Sequence, residues 1–190
     1  MSEFNPGSWS APTATAGEKR SDIQWFKLED GQSADIRLLT PNPKKVWVHR
    51  IVVNGKRYPA ACLGFKDCPA PHEKGKNATP RYAVVVVDRR DSQVKIWEMN
   101  DRTYRTLVPI VRKKGDPTQY DLYVSRTGKG ASDTIYTLIL GDNIAPLSDG
   151  EKALEQPNLE DYYKPNLERM TKLLKGEVPQ RKTEEAQASA

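Results

Sequence analysis

The dipeptide Asn54-Gly55 lies between two runs rich in β-branched and aromatic residues, "KKVWVHRIVV" and "KRYPA". Both residues tolerate positive φ, so the pair can close a two-residue turn whose twist matches the strands it joins. The chain is thereby committed to an antiparallel hairpin, and much of the sequence repeats the pattern. Behind the turn-forming "EDGQ", Ala34, Ile36 and Leu38 alternate with Asp35 and Arg37, as a half-buried strand requires. "RYAVVVVDRRDSQVKIWEM" reads as two strands about a polar turn at residues 89–92. "YDLYVSRTGKGASDTIYTLIL" reads as strand, glycine-rich turn and strand.

Two stretches change period. "NDRTYRTLVPIVRKKG" opens on an Asn or Asp cap and spaces Tyr104, Leu107 and Val111 along one helical face, interrupted by Pro109. "PNLEDYYKPNLERMTKLLKGE" places Leu167, Met170, Leu173 and Leu174 at helical spacing before Gly176. Short strands, one intervening helix and a C-terminal helix predict a mainly β domain, a small barrel of the OB type, with a β-sandwich as the alternative. The expected organisation is an N-terminal arm at 1–21, poor in anything that could be buried, and a domain at 22–150 with a Cys/His loop at about 55–80. A C-terminal helix at 151–176 and a disordered tail at 177–190 complete it.

At 190 residues the chain can hold one core of ordinary size without disulfides. Its 37% hydrophobic and 29% charged residues, the lack of any run near the ~18 apolar residues of a membrane span, and a start without a basic-then-apolar leader predict a cytoplasmic protein. The net charge of +5 is uneven: residues 22–150 hold 21 Lys and Arg against 15 Asp and Glu, while 151–190 hold 7 against 8. A basic middle suits a polyanionic partner such as nucleic acid, although a merely solvated basic surface has the same charge. Both histidines and both cysteines fall in "HRIVVNGKRYPAACLGFKDCPAPH", residues 49–72. In a reducing compartment a close cysteine pair reads as metal-binding or redox.

In order and kind, "WFKLEDGQSADIRLL", "VWVHRIVVNGKRYPAACLGFKDCPAPHEKG", "YAVVVVDRRDSQVKIWEMNDRTYRTLV" and "GDPTQYDLYVSRTGKGASDTIYTLI" resemble the single-stranded DNA-binding proteins of tailed bacteriophages, including the helix-destabilising proteins of T-even phages. The likeness covers about residues 24 to 140, with a weaker echo in "LEDYYKPNLERMTKLLKGE". It implies an OB-fold that coats single strands in replication, recombination and repair, in the host cytoplasm. It also implies a zinc subdomain ligated by one His and three Cys. His49 and Cys62 have the family's spacing and Cys68 fits the second cysteine, but Pro71 stands where the third belongs, with His72 beside it. His72 can supply the fourth ligand, since structural zinc accepts Cys₂His₂. The alternative is a degenerate site whose loop is held by packing of Phe65 and Pro69. Catalytic zinc is not expected.

Single-strand binding needs cations along the phosphates and aromatic faces under the bases. Tyr123 shares a strand face with Ser125 opposite Leu122 and Val124, with Arg126 and Lys129 at the following turn, where Gly128 and Gly130 would let backbone approach a phosphate. Around the hairpin stand Arg50, Lys56, Arg57 and Tyr58; Trp47 and Trp97 are further stacking candidates, each with a core position as its alternative, and Arg105 adds a cation on the helix. Tyr82 and Tyr136 read as core. "RTGKGASDT" lacks P-loop spacing, no nucleophile–His–acid arrangement is recognisable, and Asp88, Asp91 and Asp121 read as acids facing water, so no enzyme is expected. The rivals to a single-stranded DNA-coating protein are a phage adaptor or regulator contacting a polymerase or recombinase, and an RNA-binding OB protein. The tail "GEVPQRKTEEAQASA" lacks the strong acidity by which many coating proteins recruit partners.

Overall fold

A computed structural model describes residues 24–72, 78–130 and 133–178. The expected arm at 1–21 and the tail beyond 178 lie outside the described residues. The protein is mainly β: seven strands form an antiparallel sheet that does not close, accompanied by short helices. The strands are β1 Ser33–Leu38, β2 Lys44–Val53, β3 Lys56–Ala61, β4 Thr79–Asp88, β5 Gln93–Asn100, β6 Tyr120–Thr127 and β7 Ile135–Ile144. Among the described residues no helix is long and apolar enough to cross a membrane.

The described residues fall into two compact units, 24–46 with 80–163, and 47–79 with 164–178. The stretch expected as one helix at 151–176 is likewise divided. It takes in the end of α2 (Asp149–Lys152), then α3 (Leu159–Tyr162) and α4 (Leu167–Leu174). Pro157 and Pro165 cannot continue a helix, and Asn158 and Asn166 after them cap the next one through their side chains.

In the first unit β1 pairs with β4 and β6, β5 with β4, and β7 with β6. The apolar half of the alternation read from sequence holds, since Ala34, Ile36 and Leu38 face inward to meet Val84, Val86, Leu122 and Val124 in the main core, but on the other face Arg37 is buried too. A helix, α1 (Asp101–Lys114), covers that core with Leu107 and Val111. It starts where its cap predicts, the Thr103 amide donating to Asn100 Oδ1 at 2.8 Å. It also runs through Pro109, whose ring is exposed on the outer side. A smaller cluster, Leu39, Val85 and Val87, is covered by Val94, Leu147, Leu154 and Leu159. Burying such side chains contributes about 1.5–3 kcal/mol each.

Of the three acids read as facing water Asp91 is exposed, but Asp88 and Asp121 are not. Asp121 is buried, accepting from Arg37 Nε at 2.5 Å and Arg89 Nη2 at 2.9 Å, and Arg89 also reaches Glu151 at 2.7 Å. Asp88 is wholly buried and accepts from Arg90 Nη2 at 2.6 Å and Lys95 Nζ at 2.8 Å. These are charges in a core, tolerable only because each is paired. Burial alone would raise the Asp88 pKa, but the hydrogen bonds from Arg90 and Lys95 outweigh it and hold the carboxyl at about 2. That lies below the ~3.9 of an unfolded aspartate. Its contribution is therefore fully present above about pH 4 and is lost as pH falls through about 2. Asp88→Asn is expected to cost about 3 kcal/mol at pH 7. Urea unfolding of both proteins between pH 7 and 2 should show that gap shrinking below about pH 4; a gap independent of pH would show that the Asp88 charge is not its source.

Candidate metal centre and nucleic-acid interface

In the second unit β2 and β3 form the hairpin that Asn54-Gly55 dictates, with φ of 49° and 74° at the two turn residues. Alternation places His49, Ile51 and Val53 on one face of β2, paired with Ala60, Tyr58 and Lys56 of β3. His49 is 2% exposed, and the small side chain of Ala60 across from it leaves room for the imidazole. After β3, the Cys62 amide donates to the Trp47 carbonyl at 2.7 Å. The chain then turns through Gly64, at φ 103°, so that the Cys68 amide donates to the Gly64 carbonyl at 3.0 Å. This turn returns Cys68 and then His72 to the buried histidine.

The four donors converge. Cys68 Sγ lies 3.3 Å from His49 Nε2, Cys62 Sγ lies 3.7 Å from His72 Nε2, and all four ligand atoms lie within 4.8 Å of one another. Bonds of ~2.3 Å to sulfur and ~2.0–2.1 Å to nitrogen put a thiolate and an imidazole on one tetrahedral ion about 3.5–3.6 Å apart, midway between the two observed separations. The cluster can thus hold a metal ion, and its donor set is compatible with zinc. Burial pushes the Cys62 thiol up against a lowering hydrogen bond from the Gly64 backbone, and neighbouring Cys68 raises it further. A bound cation reverses this preference, because the thiolate is the ligating form. The alternative in which Phe65 and Pro69 hold the loop by packing has little behind it: Phe65 is 80% exposed with its ring 4.5 Å from that of His72, and Pro69 is exposed.

Met170 was not singled out as part of this site. Fully buried on α4, it sets its Sδ 3.5 Å from Cys68 Sγ. It joins Leu173, Val53, Ala60 and Ala70 in the unit's small core, and Arg169 donates to the Pro59 carbonyl at 3.1 Å. The helical spacing of Leu167, Met170 and Leu173 gave the helix but carried no sign of its partner.

The nucleic-acid candidates are not all brought together. On the hairpin Trp47, Lys56 and Tyr58 share the face of His49, whereas Arg50 and Arg57 lie on the opposite face with exposed Val52. Trp47 is 48% exposed, Arg50, Lys56 and Arg57 are exposed, and Tyr58 is half-buried against the small core. In the first unit Tyr123 is exposed between Asp35 of β1 and Ile139 of β7, over buried Leu122 and Val124. Lys129 is exposed, and Arg105 projects from α1 with its Nε 2.7 Å from Asp101.

Three expectations are corrected. Trp97 is 2% exposed in the main core, edge-on to Phe26, and has no face to offer a base. Arg126 spends its guanidinium within the fold, donating to the Gly128 carbonyl and Thr134 Oγ1 of its own turn and to the distant Leu28 carbonyl, and so braces the loop. Gly128 and Gly130 serve the turn as well. The Gly128 and Gly130 amides donate to the carboxylates of Asp30 and Asp133, and a Cβ on Gly128 would meet the Asp133 carbonyl oxygen at 2.4 Å. Backbone packing, not approach to a phosphate, requires glycine at position 128. Tyr82, as expected, is core, stacked on Tyr104 at 3.8 Å between centroids. No protein-family model, curated protein or solved structure matches the chain.

Proposed function

We propose that the protein binds single-stranded DNA without strong sequence preference, on an OB-type β scaffold carrying a structural zinc site of His49, Cys62, Cys68 and His72. The observation that carries this reading is the convergence itself: the chain has two histidines and two cysteines, and their ligand atoms all meet within 4.8 Å. They meet in the segment where the resemblance to phage single-stranded DNA-binding proteins puts a zinc subdomain, which supports that resemblance over its rivals. Zinc here would supply no chemistry beyond fixing the fold of the loop. The protein's own contribution is contact: Arg50, Lys56, Arg57 and Lys129 offer cations to phosphates, and Trp47, Tyr58 and Tyr123 offer ring surface to bases. On this reading the protein protects single strands during phage replication, recombination and repair in the host cytoplasm.

The test is competition for a labelled oligo-dT at low salt. Unlabelled oligo-dT should displace it well, oligo-rU less well and duplex poorly. Equal competition by duplex, or no binding at all, would refute the proposal, and preference for oligo-rU would favour an RNA-binding protein. Tyr123→Ala should weaken oligo-dT binding by about 1–3 kcal/mol, the contribution of one stacked base. Because Tyr123 lies on the outer face of the sheet, the variant should melt near the parent temperature. Unchanged affinity would remove Tyr123 from the interface.

A further inference from the structure

Leu38, Val84, Leu107 and Val111 floor a groove in the first unit. All four belong to the main core, so the groove is fixed by the packing of α1 on the sheet. Pro41, Pro43 and Pro117 form its walls and add rigid apolar surface with no N–H donor of their own. Small binding sites have this composition: mostly apolar, with a few placed polar groups.

Two polar features stand out against that lining. Asn42 Oδ1 is buried in the groove without a hydrogen-bond partner among the described residues. It is an acceptor waiting for an N–H, and leaving it unpaired is costly. Arg112 also lines the groove, and Lys113 and Lys114 follow it in the last turn of α1. All three are exposed, and no described carboxylate pairs with any of them.

We infer that this groove docks an acidic peptide segment of a partner protein. An apolar side chain sits over Leu107 and Val111, a main-chain N–H of the peptide donates to Asn42 Oδ1, and flanking carboxylates pair with Arg112, Lys113 and Lys114. A nucleic-acid strand fits less well, because bases bind by stacking on open aromatic faces. Tyr104 is the one ring lining the groove, and one of its faces already lies against Tyr82 at 3.8 Å. The inference stands independently of the DNA-binding proposal.

The probe is a pool of short peptides with Leu, Met or Phe at two positions and Asp or Glu at the rest, titrated to millimolar concentration into the ¹⁵N-labelled full chain. Saturable shifts are expected at Asn42, Val108, Val111 and Arg112. Arg112→Glu, an exposed position, should weaken binding about tenfold or more. Asn42→Leu should weaken it while leaving the melting temperature unchanged or higher, since the substitution removes an unpaired buried acceptor; a position that is merely structural would lose stability instead. Absence of saturable shifts in the groove would overturn the inference. So would displacement of the pool by oligo-dT acting through the same residues, which would make the groove part of a nucleic-acid path.

Discussion

With zinc held at the four-residue cluster as proposed, stripping it should unfold the second unit while the first stays folded. The first unit has a core of fifteen buried residues, including Trp97, Ile36 and Leu122, and stands without help. Among the described residues the second has a small core cluster of Val53, Ala60, Ala70, Met170 and Leu173, with Val48 and Ala78 also buried. In a unit of at most 60 residues one core rarely supplies more than about 3–5 kcal/mol, and a metal or disulfides commonly add to it; both cysteines here are free. Metal binding free energy is therefore folding free energy for this unit, and it reaches ~10–16 kcal/mol for structural zinc in peptides. The contact of Met170 with Cys68 extends the consequence to α4, which is distant in sequence. In hydrogen exchange with and without a chelator, amides of α4 and of β2 around His49 should lose protection by several orders of magnitude, and those of β1, β4 and β6 should not. Cys68→Ser should reproduce the chelated pattern and abolish stoichiometric metal. Metal-free protein with α4 still protected would show that the small core suffices and that the cluster is vestigial.

What the sequence revealed was local. The Asn54-Gly55 turn, the alternation of Ala34, Ile36 and Leu38, and the Asn100 cap each depend on a few adjacent residues, and all three stand in the structure. So does the gathering of His49, Cys62, Cys68 and His72, which one hairpin and one turn accomplish within a single short segment. Contacts between distant segments left no such trace. Arg37 and Asp121 are 84 positions apart, and nothing in the alternation of β1 or β6 marks them as partners; each read alone is an exposed charge. Met170 is 102 positions from Cys68. The glycines of "RTGKG" suggested an opening for phosphate because composition shows where backbone can come close, not what comes close to it. At Gly128 the neighbour is Asp133. Reading 151–176 as one helix followed the apolar spacing of its last two turns and gave too little weight to Pro157 and Pro165.

Raising salt from 50 to 200 mM should weaken binding to oligo-dT by roughly 20- to 130-fold. This follows from three to five phosphate contacts, each releasing counterions, with a log–log slope of about −0.7 per contact on single strands. Arg50, Lys56, Arg57 and Lys129 are exposed and available to make those contacts, whereas Arg126 is held within the fold. Arg50→Ala and Arg57→Ala should each reduce the slope by about 0.7 without altering preference among homopolymers, and Arg126→Ala should act on stability. The most direct measurement is the oligo-dT affinity across this salt range, with duplex of the same length titrated in parallel. A tight low-salt complex, a slope between about −2 and −3.5, and duplex binding at least tenfold weaker are the results predicted for a single-stranded DNA-binding protein. A flat salt response, or duplex bound as tightly as the single strand, would contradict it.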